Sequence, residues 1–250
     1  MTESQTVRRD DAILKVNDLK LQFKVDAGIL QAVDGVSFEL KKGKTLGLVG
    51  ESGCGKSITS KAIIGIQDKN CIAEGEIWLR TGEKEQANLL AMGRKSKEIR
   101  AIRGGKISMI FQEPMAAFSP MYTIGNQIME MIRTQRTRNK KEAKEIALEM
   151  LTKVGIAHPT KRFEQYPHEF SGGMMQRAMI AMALSNRPEI LIADEPTTAL
   201  DVTIQAQVLE LMKALQQEFG MSILFITHDL GTVAEMCDEV AVMYLGKIVE

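Results

Sequence analysis

Apolar and polar positions alternate along the first forty residues, over Ile13 to Val16, Lys20 to Val25 and Val36 to Leu40, with turn signals at Asp26-Ala27-Gly28 and Lys42-Gly43. A period of two predicts antiparallel strands with one covered face. From Thr45 the pattern changes to short unbroken apolar runs, TLGLV, KISMIF, EILIA and SILFI, separated by stretches of helical spacing. Such runs suit strands covered on both faces, as in a largely parallel α/β sheet. Between Gln112 and Ser171 these runs stop, and Thr123 to Arg136 and Asn139 to Gly155 space their apolar residues as helices do. That segment predicts a helical insertion; Gly82 to Arg100, charged and without a strong period, predicts a loop and a short helix.

Composition adds bounds rather than structure. With 250 residues, 44% hydrophobic and 26% charged, the chain can bury a substantial core. Lys plus Arg equals Asp plus Glu at 32 each, so no overall field draws the molecule onto nucleic acid or anionic lipid. Met1 to Asp11 is polar, and no apolar run approaches the roughly 18 residues that cross a bilayer, so the expectation is a chain neither secreted nor membrane-spanning. Cys54, Cys71 and Cys237 are too far apart for a CxxC metal site and too few for a disulfide framework, which fits a reducing, cytosolic setting.

The chemistry gathers at the ends of the apolar runs. Gly50-Glu51-Ser52-Gly53-Cys54-Gly55-Lys56-Ser57, leading into Ile58, matches GxxxxGK[ST] between a predicted strand and a predicted helix. In a phosphate loop the backbone N–H groups and helix N-terminus face a polyphosphate, Lys56 neutralises β and γ oxygens, and Ser57 ligates Mg²⁺. A plain Gly-rich turn would not need Lys and Ser in that register. The run Glu189 to Ala193 ends in Asp194-Glu195. Two acids at a core strand's edge are either a solvated pair or, functionally, a Mg²⁺ ligand, Asp194, and a base for an attacking water, Glu195. Ser222 to Thr227 ends at His228, either structural or a γ-phosphate sensor, since open α/β sheets gather ligands at the carboxyl ends of their strands. Lys106 to Phe111 hands over to Gln112, either an exposed loop amide or a contact to Mg²⁺ or the lytic water. Ser171-Gly172-Gly173-Met174 opens a helical stretch, as a plain N-cap or as a second anion site. Cys54, inside the loop beside Lys56, is either a reactive thiol or a small inert residue.

This order of motifs, completed by Ala199-Leu200-Asp201, resembles the ABC-type nucleotide-binding domains over nearly the whole sequence. The resemblance implies a P-loop NTPase fold. Its RecA-like core with a mixed sheet and an antiparallel β subdomain would span about 12–111 and 187–250, and a helical subdomain about 112–186. It implies ATP and Mg²⁺ as ligands and two domains associated head to tail, as a homodimer or a heterodimer. Ser171, Gly172 and Gly173 would then bind the γ-phosphate of the partner's ATP, Asp201 would align the two sites, and Phe23 would stack on adenine. Met174 departs from the Gln usual in the family, and a thioether cannot donate a hydrogen bond. The stretches FSGGMMQRAMIAMAL, MIFQEPM and ADEPTTALDVTIQAQVL look like the branch that powers uptake of peptides, nickel or oligosaccharides. That likeness implies an ATPase at the cytoplasmic face of a membrane, two permease subunits, an extracytoplasmic solute-binding protein acting indirectly, and no nucleic acid. Members of the branch usually continue past Glu250, so a shortened chain or a short member is expected. Glu113 to Gln127 would face the permease, with Met115 and Met121, in a loop with Phe118 and Pro120, as a docking patch and Met129 and Met150 as core. The rival class, a DNA-repair or chromosome-organising ATPase, carries a long coiled coil where this chain has only Gln112 to Ser171.

Overall fold

Alternation at the N-terminus becomes a hairpin. In the computed structural model, which describes residues 11–250 except 27, 83, 84 and 199, β1 (Ala12–Val25) pairs antiparallel with β2 (Gly28–Lys41). Leu14, Val16, Leu19 and Leu21 of β1 and Val33, Val36 and Leu40 of β2 are fully buried. The apolar run β3 (Thr45–Val49) is buried at every position and feeds α1 (Lys56–Ile63). The chain continues through β4 (Cys71–Arg80), β5 (Gln86–Asn88), α2 (Lys97–Ile102) and β6 (Ile107–Ile110). The helical stretch follows: α3 (Pro114–Ala117), α4 (Ile124–Gln135), α5 (Lys140–Lys153), α6 (Pro159–Phe163) and α7 (Gly172–Leu184). Then come β7 (Ile190–Asp194), α8 (Val202–Phe219), β8 (Ser222–Thr227), α9 (Leu230–Met236), β9 (Glu239–Tyr244) and β10 (Lys247–Ile248).

Two sheets result, an antiparallel one ordered β2-β1-β4-β5 and a second ordered β10-β9-β3-β8-β7-β6. The second is parallel from β9 to β6, and β10 runs antiparallel at its edge. Its strands alternate between two cores. Leu191, Ala193, Ile223 and Phe225 face α4, α5, α7 and α8, whereas Ile190, Ile192, Leu224 and Ile226 share the other core with α1, α2 and the antiparallel sheet. Cover on both faces explains the unbroken apolar runs.

Four strands lie outside the sequence expectation. In β4 the alternation breaks at Glu74-Gly75-Glu76, opposite a register shift in β1 between Asn17 and Lys20, and β9 is only partly covered beside the edge strand. The expected docking loop also needs correction. Met115 lies on the one-turn helix α3, and Phe118 is buried at 4% exposure in the helical core, because its ring packs inward as α3 ends. Met115, Met121 and Tyr122 remain exposed at 57%, 76% and 61%, while Met129 and Met150 are buried as core. Among the described residues, no helix is long and apolar enough to cross a membrane.

Helix α4 meets α6 at Gly125. A Cβ there would lie 2.3 Å from the Phe163 ring, so only glycine allows this approach.

Candidate functional site

Parallel strands β3, β7 and β8 stand side by side and all end at one edge, which is why residues distant in sequence converge there. After β3 the chain wraps from Gly50 to Gly55 and enters α1 with Gly55 at φ 111° and no side-chain cap, leaving the first N–H groups of the helix open to an anion. A Cβ on Gly50 would lie 2.1 Å from the Met243 carbonyl oxygen, which fixes this position as glycine. Glu51, Ser52 and Gly53 are exposed on the loop, and Ser57 and Ile58 are half-buried. Lys56 is 4% exposed. Its Nζ donates to the carbonyls of Gly50 at 2.7 Å and Glu51 at 2.8 Å, with the Cys54 sulfur at 3.8 Å.

Ser57 Oγ donates to Asp194 Oδ1 at 2.9 Å, joining the start of α1 to the end of β7. Asp194 is 3% exposed. Burial raises its carboxyl pKa, the Ser57 hydrogen bond opposes that rise, and the neighbouring Glu195 adds to it. Two oxygens brought together from different elements, one on a carboxylate that gains from a nearby positive charge, are a donor set that would suit Mg²⁺.

Glu195 follows with a left-handed backbone, φ 46°, and its N–H donates to the Ile226 carbonyl at 2.9 Å. That turn swings its side chain out of the strand direction, an uncommon conformation for a non-glycine residue. The carboxylate is then held from three sides. Gln112 Nε2 donates to Oε2 at 2.9 Å, Thr198 Oγ1 donates to Oε2 at 3.1 Å, and His228 Nδ1 lies 3.2 Å from Oε1. The four strand-end residues foreseen from sequence, Gln112, Asp194, Glu195 and His228, are thus brought together. Thr198 was not foreseen; its place three residues after Glu195, in a Pro-Thr-Thr turn, is the signal that could have found it.

Ser171 caps α7, its Oγ accepting from the Met174 N–H at 3.4 Å. Gly172 is exposed, Met174 packs partly against the helical core, and Gly173 lies against Ile204. A cavity of about 540 Å³ opens here, lined by Ser171 to Met174, Arg162, Arg177, Leu200 and Asp201 among others and by none of the residues from Gly50 to Ile58. Asp201 caps α8, accepting from the Ile204 N–H at 3.0 Å. Phe23 is half-buried on β1, paired with Leu30 of β2 and Cys71 of β4. Strand β2 also supplies Ala32 and Val33, which lie against Gly55.

The family model described as ABC transporter matches residues 33–198. The chain is 50% identical over 242 residues to the dipeptide transport ATP-binding protein DppD of Bacillus subtilis, covering 96% of this chain and 70% of that one. It is 52% identical over 240 residues to the oligopeptide transport ATP-binding protein OppD of the same organism, covering 95% and 65%. Among solved structures, the dimeric post-hydrolysis state of the ATP-binding cassette MJ0796 bound to ADP and Pi superposes with a TM-score of 0.81 at 26% identity, covering 95% and 97%. CbiO1 from Clostridium perfringens, part of the ABC transporter complex cbiONQ, gives 0.74 at 25% identity, covering 96% and 88%.

Proposed function

The chain belongs to the ABC transporter family, and from that premise we propose that it is the ATP-hydrolysing subunit of an importer that takes up peptides or a related solute. The observation that carries this reading is the grip on Glu195 by Gln112, Thr198 and His228, beside an Asp194 already paired with Ser57. Peptide uptake is supported by the relatives, which are named for dipeptide and oligopeptide transport.

The phosphate loop and the N-terminus of α1 receive the triphosphate, with Lys56 neutralising its β and γ oxygens. Ser57 and Asp194 would hold Mg²⁺, which supplies charge neutralisation on the phosphates when bound. Glu195 orients and polarises the attacking water, and its three partners keep the carboxylate aimed as that water attacks the γ-phosphorus in line. His228 stabilises charge developing on the γ-phosphate, and Gln112 links the site to the helical stretch that follows it.

The Ser171 cavity shares no lining residue with the phosphate loop, which supports completion of the site by a second cassette placed head to tail. Ser171 and the glycines of one chain then meet the γ-phosphate held by the other, with Asp201 at the junction and Phe23 against the adenine. The exposed group Met115, Met121 and Tyr122 supplies an adaptable apolar surface for permease subunits at the cytoplasmic face of the membrane.

Glu195→Gln is the decisive variant. It should retain ATP binding, form an ATP-dependent dimer by light scattering, and turn over at least a hundredfold more slowly, on the order of the loss of a positioned base. Turnover near the wild-type rate would refute the assignment.

A further inference from the structure

The turn that carries His228 is tied to a helix that no step above uses. Helix α8 is capped by Asp201, and one turn later the half-buried Gln205 donates its backbone N–H to the Asp201 carbonyl at 2.8 Å. Its side-chain Nε2 crosses to the next helix, donating to Thr232 Oγ1 at 3.1 Å and reaching Asp229 Oδ2 at 3.4 Å. Thr232, 4% exposed, donates to the same Asp229 oxygen at 2.6 Å, and the Gly231 N–H donates to Oδ1 at 2.9 Å. The Asp229 N–H in turn donates to Thr227 Oγ1 at 3.0 Å. Both backbone neighbours of His228 are therefore anchored. Its ring is 53% exposed and meets Glu195 Oε1 at 3.2 Å, so the turn rather than packing sets where the imidazole points. A further link between α8 and α9, Lys213 to Glu235 at 3.1 Å, is an exposed ion pair that fixes little.

We propose that Gln205 is a positioning residue for His228, fastening its turn to the start of α8, the segment whose Leu200, Asp201 and Ile204 line the Ser171 cavity. Closure of a second cassette over that cavity presses on the α8 start, and the Gln205 amide passes the displacement to His228. Coupling then has a contiguous physical route, from cavity wall to amide to carboxylate to turn. The inference rests on the ATPase reading above.

The test measures ATP turnover by the assembled transporter carrying Gln205→Ala or Gln205→Glu, with fluorescent-ATP binding and melting temperature measured alongside. For Gln205→Ala, kcat should fall about tenfold while KM and ATP affinity stay within about twofold, the pattern of a group that acts only in the transition state. Gln205→Glu sets a carboxylate against Asp229, so its deficit relative to wild type should be deepest near neutral pH and shrink as pH falls and a proton is shared. A Gln205→Ala kcat within about twofold of wild type, or a Gln205→Glu deficit that does not change with pH, overturns the proposal. Should Gln205→Ala melt early, the pH profile of Gln205→Glu decides alone. Glu195→Gln run in parallel separates the two ideas. If it is inert while Gln205→Ala runs at the wild-type rate, only the positioning role fails; if it turns over, the ATPase assignment fails first.

Discussion

Asp194 sits at 3% exposure on the end of an apolar strand, and burial holds its carboxyl pKa above the ordinary value. A raised carboxyl pKa means that the folded chain binds its proton more tightly than the unfolded one. Stability from this group is therefore greatest below the unfolded pKa and is lost as pH climbs through the folded value. Asp194→Asn, which can still accept from Ser57, should raise the melting temperature at neutral pH and lose that advantage under acid, while Mg²⁺-dependent nucleotide binding weakens; a calorimetric pH series measures both. At this scale the sequence was legible wherever an apolar run stopped on a charged or amide residue, as at Asp194-Glu195, His228 and Gln112. Thr198, Gln205 and Thr232 were not legible, since a hydroxyl or amide near a helix start has many local uses and its partner is chosen by the tertiary fold.

Helices α4 and α5 were readable because Ile124, Ile128 and Ile132, and Ala143, Ile146, Ala147 and Met150, repeat at helical spacing and are buried. The short α3 and α6 carry too few turns to show a period, and the burial of Phe118 was not legible because it depends on where α3 ends. Strands β4 and β9 escaped for the opposite reason: a glycine between two glutamates interrupts one, and partial cover leaves the other without a clean pattern. Gly125 shows how tightly the helical elements are fitted. A methyl group there meets the Phe163 ring, so Gly125→Ala should cost about 1 to 3 kcal/mol despite the better helix propensity of alanine, measurable by urea unfolding.

For the molecule as a whole, the helical layer covers one face of the six-stranded sheet while α1, α2 and the antiparallel sheet cover the other, and the exposed Met121 and Tyr122 stand on the helical side, just before α4. Met121→Cys should crosslink to a permease subunit in the assembled transporter, read as a shifted band on a denaturing gel; a clean negative in a complex that still hydrolyses ATP counts against this surface. The separation between the phosphate-loop cluster and the Ser171 cavity has a heritable consequence. In the head-to-tail pairing proposed above, each chain would carry the jaw of one mouth and the palate of another. If the partner is a different chain, a lesion in one coding sequence would then silence a mouth whose remaining parts are inherited from elsewhere. When the paired chains differ, the two mouths can drift apart, one kept for cutting and the other for holding, without any change of fold.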